Sequence, residues 1–197
     1  MDTTMTRTDI LNHLIKEYGF KSYLEVGVNI EADNFDHIKC QYRIGVDPNG
    51  VTSFTGTSDE FFANNQLRFD LIFIDGLHTE DQVTRDINNS LQVLREGGMI
   101  VTHDSLPISE DHQRDVYGGR GIWAGGVWKS LALIRSTRPD VKIDIVDTDW
   151  GCGILRFGVS DPYPVTKLDW TFYCTHRETM FNIISPQKFL FTYRSPK

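Results

Sequence analysis

Two short stretches of this 197-residue chain, Asp75-Gly76-Leu77-His78 and His103-Asp104, combine residue types that could do chemistry together. Carboxylates at neighbouring strand ends can share a divalent cation, and hard oxygen ligands favour magnesium, calcium or manganese over zinc. A histidine beside them can accept a proton from a substrate hydroxyl near neutral pH, and His78 and His103 are rivals for that role. Each has a plainer alternative, as a hydrogen-bonded or surface histidine, and Asp75 could simply serve as the charge partner of a helix N-terminus. Glu25-Val26-Gly27 and Asp47 form a second group. A glycine at a strand-to-loop turn lets the backbone come close to a ligand, or merely makes the turn tight. Asp47, about twenty residues further on, can accept hydrogen bonds from both ribose hydroxyls of a nucleoside, or initiate a turn before Pro48. The spacing of the pair fits one βαβ unit.

The elements that must position these residues follow from hydrophobic pattern. Ile10, Leu11, Leu14, Ile15 and Tyr18 recur at helical spacing over Asp9 to Tyr18, and Gly19 is a stop. Residues 23–28 and 43–47 read as strands, with a short helix over Asp33 to Lys39 between them and a further short strand over Val51 to Thr55. Ser58 is placed to cap a helix through Asn64, with Asp59 and Glu60 in its first turn. Phe69 to Asp75 is a near-continuous apolar run, the mark of a strand covered on both faces. Thr79 and Gln82 have the spacing of a capping box for a helix bearing Val83, Ile87, Leu91 and Leu94, ended by Gly97-Gly98. Met99 to Thr102 is the next strand. This strand–helix alternation predicts an α/β fold with a parallel sheet, whose ligands lie beyond the strands' carboxyl ends.

A glycine-rich loop of about twenty residues, long for a connection, precedes a helix over Val127 to Arg138. Trp123 and Trp128 in this stretch could stack on a substrate ring or simply pack the loop, and Arg114 and Arg120 read as ordinary surface charges. Two more strands, 141–146 and 153–159, are joined by a link too short for a crossover helix, which predicts an antiparallel pair. A tail from Ser160 carries an expected helix around Arg177 to Ile184 and could form a dimer surface or a lid.

Composition narrows the function classes. Apolar residues make up 40% and charged residues 24%, ordinary for a globular chain. A net charge of -7 argues against a duplex nucleic-acid partner. No apolar run is long enough to span a membrane, and the N-terminus lacks the apolar core of a signal peptide. Cys40, Cys152 and Cys174 are far apart and suggest neither a zinc site nor a disulfide framework. A cytoplasmic location is expected.

The series YLEVGV, IGVDPNG, FDLIFIDGLHTEDQVTRDI and LREGGMIVTHDSLP resembles class I S-adenosylmethionine-dependent methyltransferases over about residues 20–160. It is most similar to the metal-dependent small-molecule and sugar O-methyltransferases. The resemblance implies a Rossmann-like, doubly wound, mostly parallel seven-stranded sheet with an antiparallel last strand. It implies one domain over 1–197, with an N-terminal helix in 1–20, the core in 21–159 and an extension in 160–197. Cofactor contacts would come from Glu25 and Gly27 at the methionine moiety, Asn29 in the first loop, Asp47 at the ribose, Ser58 at the adenine-side turn, and Asp75. Asp75 and Asp104 would hold magnesium, and His78, or else His103, would be the base. The family's first loop usually carries further glycines, as in E-x-G-x-x-x-G, where Asn29 and Glu31 stand here. The expected reaction is methyl transfer to a hydroxyl of a sugar, glycan or other small molecule, with a homo-oligomer open. Two alternatives remain at this stage: a nicotinamide-dependent oxidoreductase, for which the chain lacks G-x-G-x-x-G, and a non-catalytic cofactor- or glycan-binding module.

Overall fold

A computed structural model describes residues 4–50 and 52–195. In chain order the elements are α1 (Arg7–Tyr18), β1 (Ser22–Val26), β2 (Tyr42–Asp47), β3 (Phe54–Thr55), α2 (Ser58–Asn64), β4 (Phe69–Ile74), α3 (Glu80–Val93), β5 (Leu94–Thr102), α4 (Val127–Thr137), β6 (Val141–Val146), β7 (Cys152–Phe157), α5 (Trp170–Met180), β8 (Asn182–Ile184) and α6 (Pro186–Thr192). The strands form an eight-stranded sheet in the order β3-β2-β1-β4-β5-β7-β6-β8. Strands β1 to β5 pair parallel with one another, and β7 runs antiparallel to both β5 and β6. This is the expected Rossmann-like class, with one strand added: β8 joins the outer edge parallel to β6.

Both faces of the sheet are covered, which explains the continuous apolar run of β4. On one face Leu24, Val46 and Ile72 pack with Val83, Ile87, Trp128 and Leu131 of α3 and α4. On the other, Tyr23, Leu71, Phe73 and Val101 pack with Ile10, Leu11 and Leu14 of α1 and with Phe189 of α6.

Local expectations are corrected in several places. The stretch 33–39 forms two 3-10 turns, Glu31–Asp33 and Phe35–His37, rather than one helix. Of the short strand expected over Val51 to Thr55, only Phe54–Thr55 pairs, and Val51 lies outside the described residues. Thr57, not Ser58, caps α2, in a reciprocal box with Glu60. Thr79 precedes α3 without a side-chain cap bond, and the Gln82 side chain, rather than returning to Thr79, donates to Ser58 Oγ and Asp86 Oδ1, at 3.0 Å each. Gly97 and Gly98 sit inside β5, past an irregular register, instead of ending α3. The tail helix stops at Met180, and Asn182–Ile184 is strand rather than helix. Among the described residues no helix is long and apolar enough to cross a membrane.

Candidate active site

Register brings the chemistry-bearing residues to one edge. Val46, Val26, Ile74 and Thr102 are aligned across β2, β1, β4 and β5, so Asp47, Gly27, Asp75 and His103 end or follow their strands at about one level. The turns stay stitched: Gly27 N–H donates to the Val46 carbonyl, Asp75 N–H to Val26 and His103 N–H to Ile74. Gly27 has φ +88, and a Cβ there would overlap the Asp75 carbonyl and Gly76 Cα. A glycine is therefore required both by conformation and by the close approach of the two turns.

These turns line a crevice of about 580 Å³ that includes Arg7, Glu25, Gly27, Asn29, Asp47, Ser58, Asp75, His78 and Trp123. It lies over the strand ends where the sheet order reverses, the usual ligand position in an open α/β sheet. Asn29 adopts φ +52, a conformation asparagine tolerates, which accounts for its standing where small residues are usual. Its N–H donates to Asp47 Oδ2 at 2.9 Å, while Asp47 Oδ1 accepts from Asn49 and Gly50 at 2.8 and 3.1 Å. Asp47 thus forms the turn before Pro48 and also lines the crevice. Glu25 is buried and accepts hydrogen bonds from the Tyr23 hydroxyl and from Asn34 Nδ2, the latter at 2.9 Å. Burial pushes its carboxyl up to about 7, against the opposing pull of those two donors.

At the other side lies a cluster of acids and imidazoles. Asp104 takes φ +53, which breaks strand alternation and lets consecutive residues face the same cluster. His103 Nδ1 is 3.3 Å from both Asp75 Oδ1 and Asp104 Oδ2, and His78 Nε2 is 3.2 Å from Asp75 Oδ1. His78 Nδ1 is 2.9 Å from the Trp123 carbonyl and 3.5 Å from Asp104 Oδ2. A carbonyl only accepts, so Nδ1 carries the proton there. Burial would raise the Asp75 carboxyl, but the His103 and His78 charges hold it well below the usual range. Burial likewise opposes charging of both histidines, yet the surrounding carboxylates, Asp75 foremost, raise both.

Two members of the cluster come from outside the stretches singled out in the sequence. Asp149, in the β6–β7 turn, places Oδ1 3.4 Å from His103 Nε2, an ion-pair distance without hydrogen-bond alignment, since Nε2 has no hydrogen-bond partner among the described residues. Asp149 Oδ2 accepts the Arg7 N–H at 2.7 Å. No periodicity or motif marks either residue. Trp123 stacks on His78, with ring centroids 5.3 Å apart. Trp128 instead is fully buried and donates to Gln113 Oε1, so it packs and is not available for stacking on a ligand. Arg114 is no idle surface charge: it donates to the carbonyls of Asp111, Arg120 and Ile122 and so closes the glycine-rich loop on itself.

Asp75, His78 and Asp104 each offer a ligand atom within 4.8 Å of one another. Two carboxylates and an imidazole are a donor set that suits a hard or borderline divalent cation, so the residues present fit a metal.

Residues 20–105, from β1 through the end of β5, match the model of a methyltransferase domain family. No curated protein sequence matches the chain. Among solved structures, an O-methyltransferase from Bacillus cereus in complex with S-adenosylhomocysteine superposes with TM-score 0.56 at 14% identity, over 80% of this chain and 84% of that one. An S-adenosylhomocysteine-bound methyltransferase from Podospora anserina gives 0.57 at 13%, over 77% and 78%. The N-methyltransferase NodS from Bradyrhizobium japonicum gives 0.51 at 17%, over 78% and 94%. These likenesses show the fold, and the family match falls on the strand ends that build the crevice. That match, carried on this fold, makes the chain similar to S-adenosylmethionine-dependent methyltransferases over residues 20–105.

Proposed function

We propose that the protein transfers a methyl group to a hydroxyl oxygen of a small molecule, a sugar or glycan diol being the preferred class. Shared fold does not choose the acceptor atom, since O- and N-methyltransferases both superpose on it. The observation that carries the choice of oxygen is the convergence of Asp75, His78 and Asp104 beside the crevice. A hydroxyl must lose a proton to become a good nucleophile, and this cluster offers both a proton acceptor and a cation site. An amine is nucleophilic without either.

When bound, S-adenosylmethionine supplies an electrophilic methyl, and magnesium on Asp75 and Asp104 would supply a Lewis acid that acidifies the acceptor and favours adjacent oxygens. Asp47 fixes the ribose end: its Oδ2 accepts one backbone N–H and keeps acceptor capacity that a ribose hydroxyl donor can use. Ser58, with Gln82 bonded to its Oγ, forms the wall on the adenine side. Gly27 and Asn29 shape the first turn so that backbone can approach the methionine portion, and Glu25 stands beside it. The Trp123 carbonyl holds the proton on His78 Nδ1, which leaves Nε2 as the atom that gains and loses a proton. His103, hemmed in by Asp75, Asp104 and Asp149, is held charged and is the weaker candidate for base.

Calorimetry with S-adenosylhomocysteine, followed by transfer of a labelled methyl to simple sugar diols with and without chelator, tests this reading. Binding should be measurable, transfer should fall in excess chelator and recover with magnesium, and His78→Ala should lose about 10²- to 10⁴-fold in turnover. Absence of heat with either form of the cofactor rejects the reading. Full transfer in chelator removes the metal, and full turnover of His78→Ala removes the base.

A further inference from the structure

The guanidinium of Arg7 stands in the crevice with donors to spare. Its Nε is buried and has no hydrogen-bond partner among the described residues. The nearest acids lie beyond hydrogen-bond distance: Asp75 Oδ2 is 3.9 Å from Nε, and Asp149 Oδ2 is 3.6 Å from Nη1. A buried donor without an acceptor is costly in a finished structure and is a reason to look for a ligand. Among the described residues that line the crevice, Arg7 is the only Lys or Arg, on a wall that also carries Glu25, Asp33, Asp47, Asp59, Asp75 and Asp86.

Such a wall suits a ligand that is mostly cationic or neutral and has one anionic group. S-adenosylmethionine has that distribution: a sulfonium, an ammonium and a single carboxylate. The sheet order decides which end meets Arg7. Asp47 and Ser58 belong to β2 and α2, on one side of β1, whereas Arg7 approaches Asp75 at the end of β4 and Asp149 in the β6–β7 turn, on the other side. With the ribose on the β2 side, the amino-acid end extends toward β4. We infer that Arg7 receives the carboxylate of the cofactor's methionine portion, its planar fork matching a carboxylate's two oxygens. This rests on the cofactor reading above. It gives the N-terminal helix, outside the segment that matches the family, a direct part in cofactor recognition.

The position is well suited to substitution. The Arg7 main-chain N–H makes the bond to Asp149, so Arg7→Met removes the guanidinium while leaving that tie intact. The test compares the affinities of S-adenosylhomocysteine and its decarboxylated analogue, which keeps the amine and lacks only the carboxylate, for wild type, Arg7→Met and Arg7→Lys. Arg7→Met should weaken S-adenosylhomocysteine about 10- to 100-fold and leave the analogue unchanged, with Arg7→Lys between. Unchanged binding of the analogue also certifies that the variant is folded. Equal loss of both ligands overturns the inference. Wild-type affinity of Arg7→Met for S-adenosylhomocysteine overturns it too, and points to an anionic group on the acceptor instead. If wild type binds neither ligand, the cofactor reading itself fails, a result distinct from both.

Discussion

Glu25 shows how one buried side chain ties pH to stability. It sits at the end of β1 with 2% of its surface exposed. Facing it are the Tyr23 hydroxyl and Asn34 amide, with Asp75 and Arg7 acting through space. Burial dominates and moves its carboxyl from 4.5 to about 7. In the unfolded chain the same group ionises near the lower value, so folding takes up a proton between the two. Its contribution is therefore fully present below about pH 4.5, is lost as pH rises toward 7, and stays lost above that. Glu25→Gln keeps the shape without the titration. Relative to wild type, the variant should gain stability between pH 5 and 8, by an amount on the order of 2 kcal/mol. Denaturant melts at several pH values check this, and a difference that stays flat across that range removes Glu25 as the source.

At the scale of elements, the β6–β7 turn holds the site together from a distance. Asp149 and Trp150 both adopt left-handed conformations, φ +47 and +62. That is unusual for consecutive non-glycine residues, and strain of this kind is retained where the surroundings enforce it. Here the turn delivers the Asp149 carboxylate to the Arg7 N–H and to His103. Asp149→Asn tolerates the same backbone and can still accept from Arg7, so it should cost about 1 kcal/mol or less. Asp149→Ala meets the left-handed penalty and loses the acceptor, for about 2–3 kcal/mol in total. Equal melting temperatures for the two variants would mean that the turn is held by something else. This turn also marks where the sequence stops being legible. Gly27, Asp47, Asp75, His103 and Asp104 could be placed because each ends an apolar strand, and parallel strands deliver their ends to one edge. Arg7 and Asp149 lie about 140 residues apart, and only tertiary packing brings them to that edge. The helix caps slipped because neighbouring residues can each serve: Thr57 and Ser58 are both good caps, and Gln82 found partners on α2 rather than at its own helix end. Strand β8 escaped because three residues between two helices carry no period to read.

At the scale of the whole molecule, the tail braces the helix that brings Arg7 to the crevice. The segment that matches the family supplies the strand ends but not α1, whose first residue is Arg7. Helix α1 is held from below by α6. Phe189 is fully buried, its ring centroid lies 5.0 Å from that of His13, and His13 Nε2 meets the Tyr193 carbonyl at 2.8 Å. The tail from Ser160 thus packs against the helix that carries Arg7, and also supplies β8 to cover the edge of β6. Replacing Phe189 by Ala leaves a cavity between α1 and α6 and should cost about 3–5 kcal/mol. For a chain of this size that corresponds to a fall of roughly 10 °C in Tm. If α1 is anchored mainly through this contact, the stabilisation gained on adding S-adenosylhomocysteine should shrink as well, because Arg7 is then less well positioned. Thermal melts of wild type and Phe189→Ala, with and without that ligand, separate the two effects. A lower Tm with an undiminished ligand shift means that Asp149 alone keeps Arg7 in place, and an unchanged Tm means that the tail is not part of the fold's support.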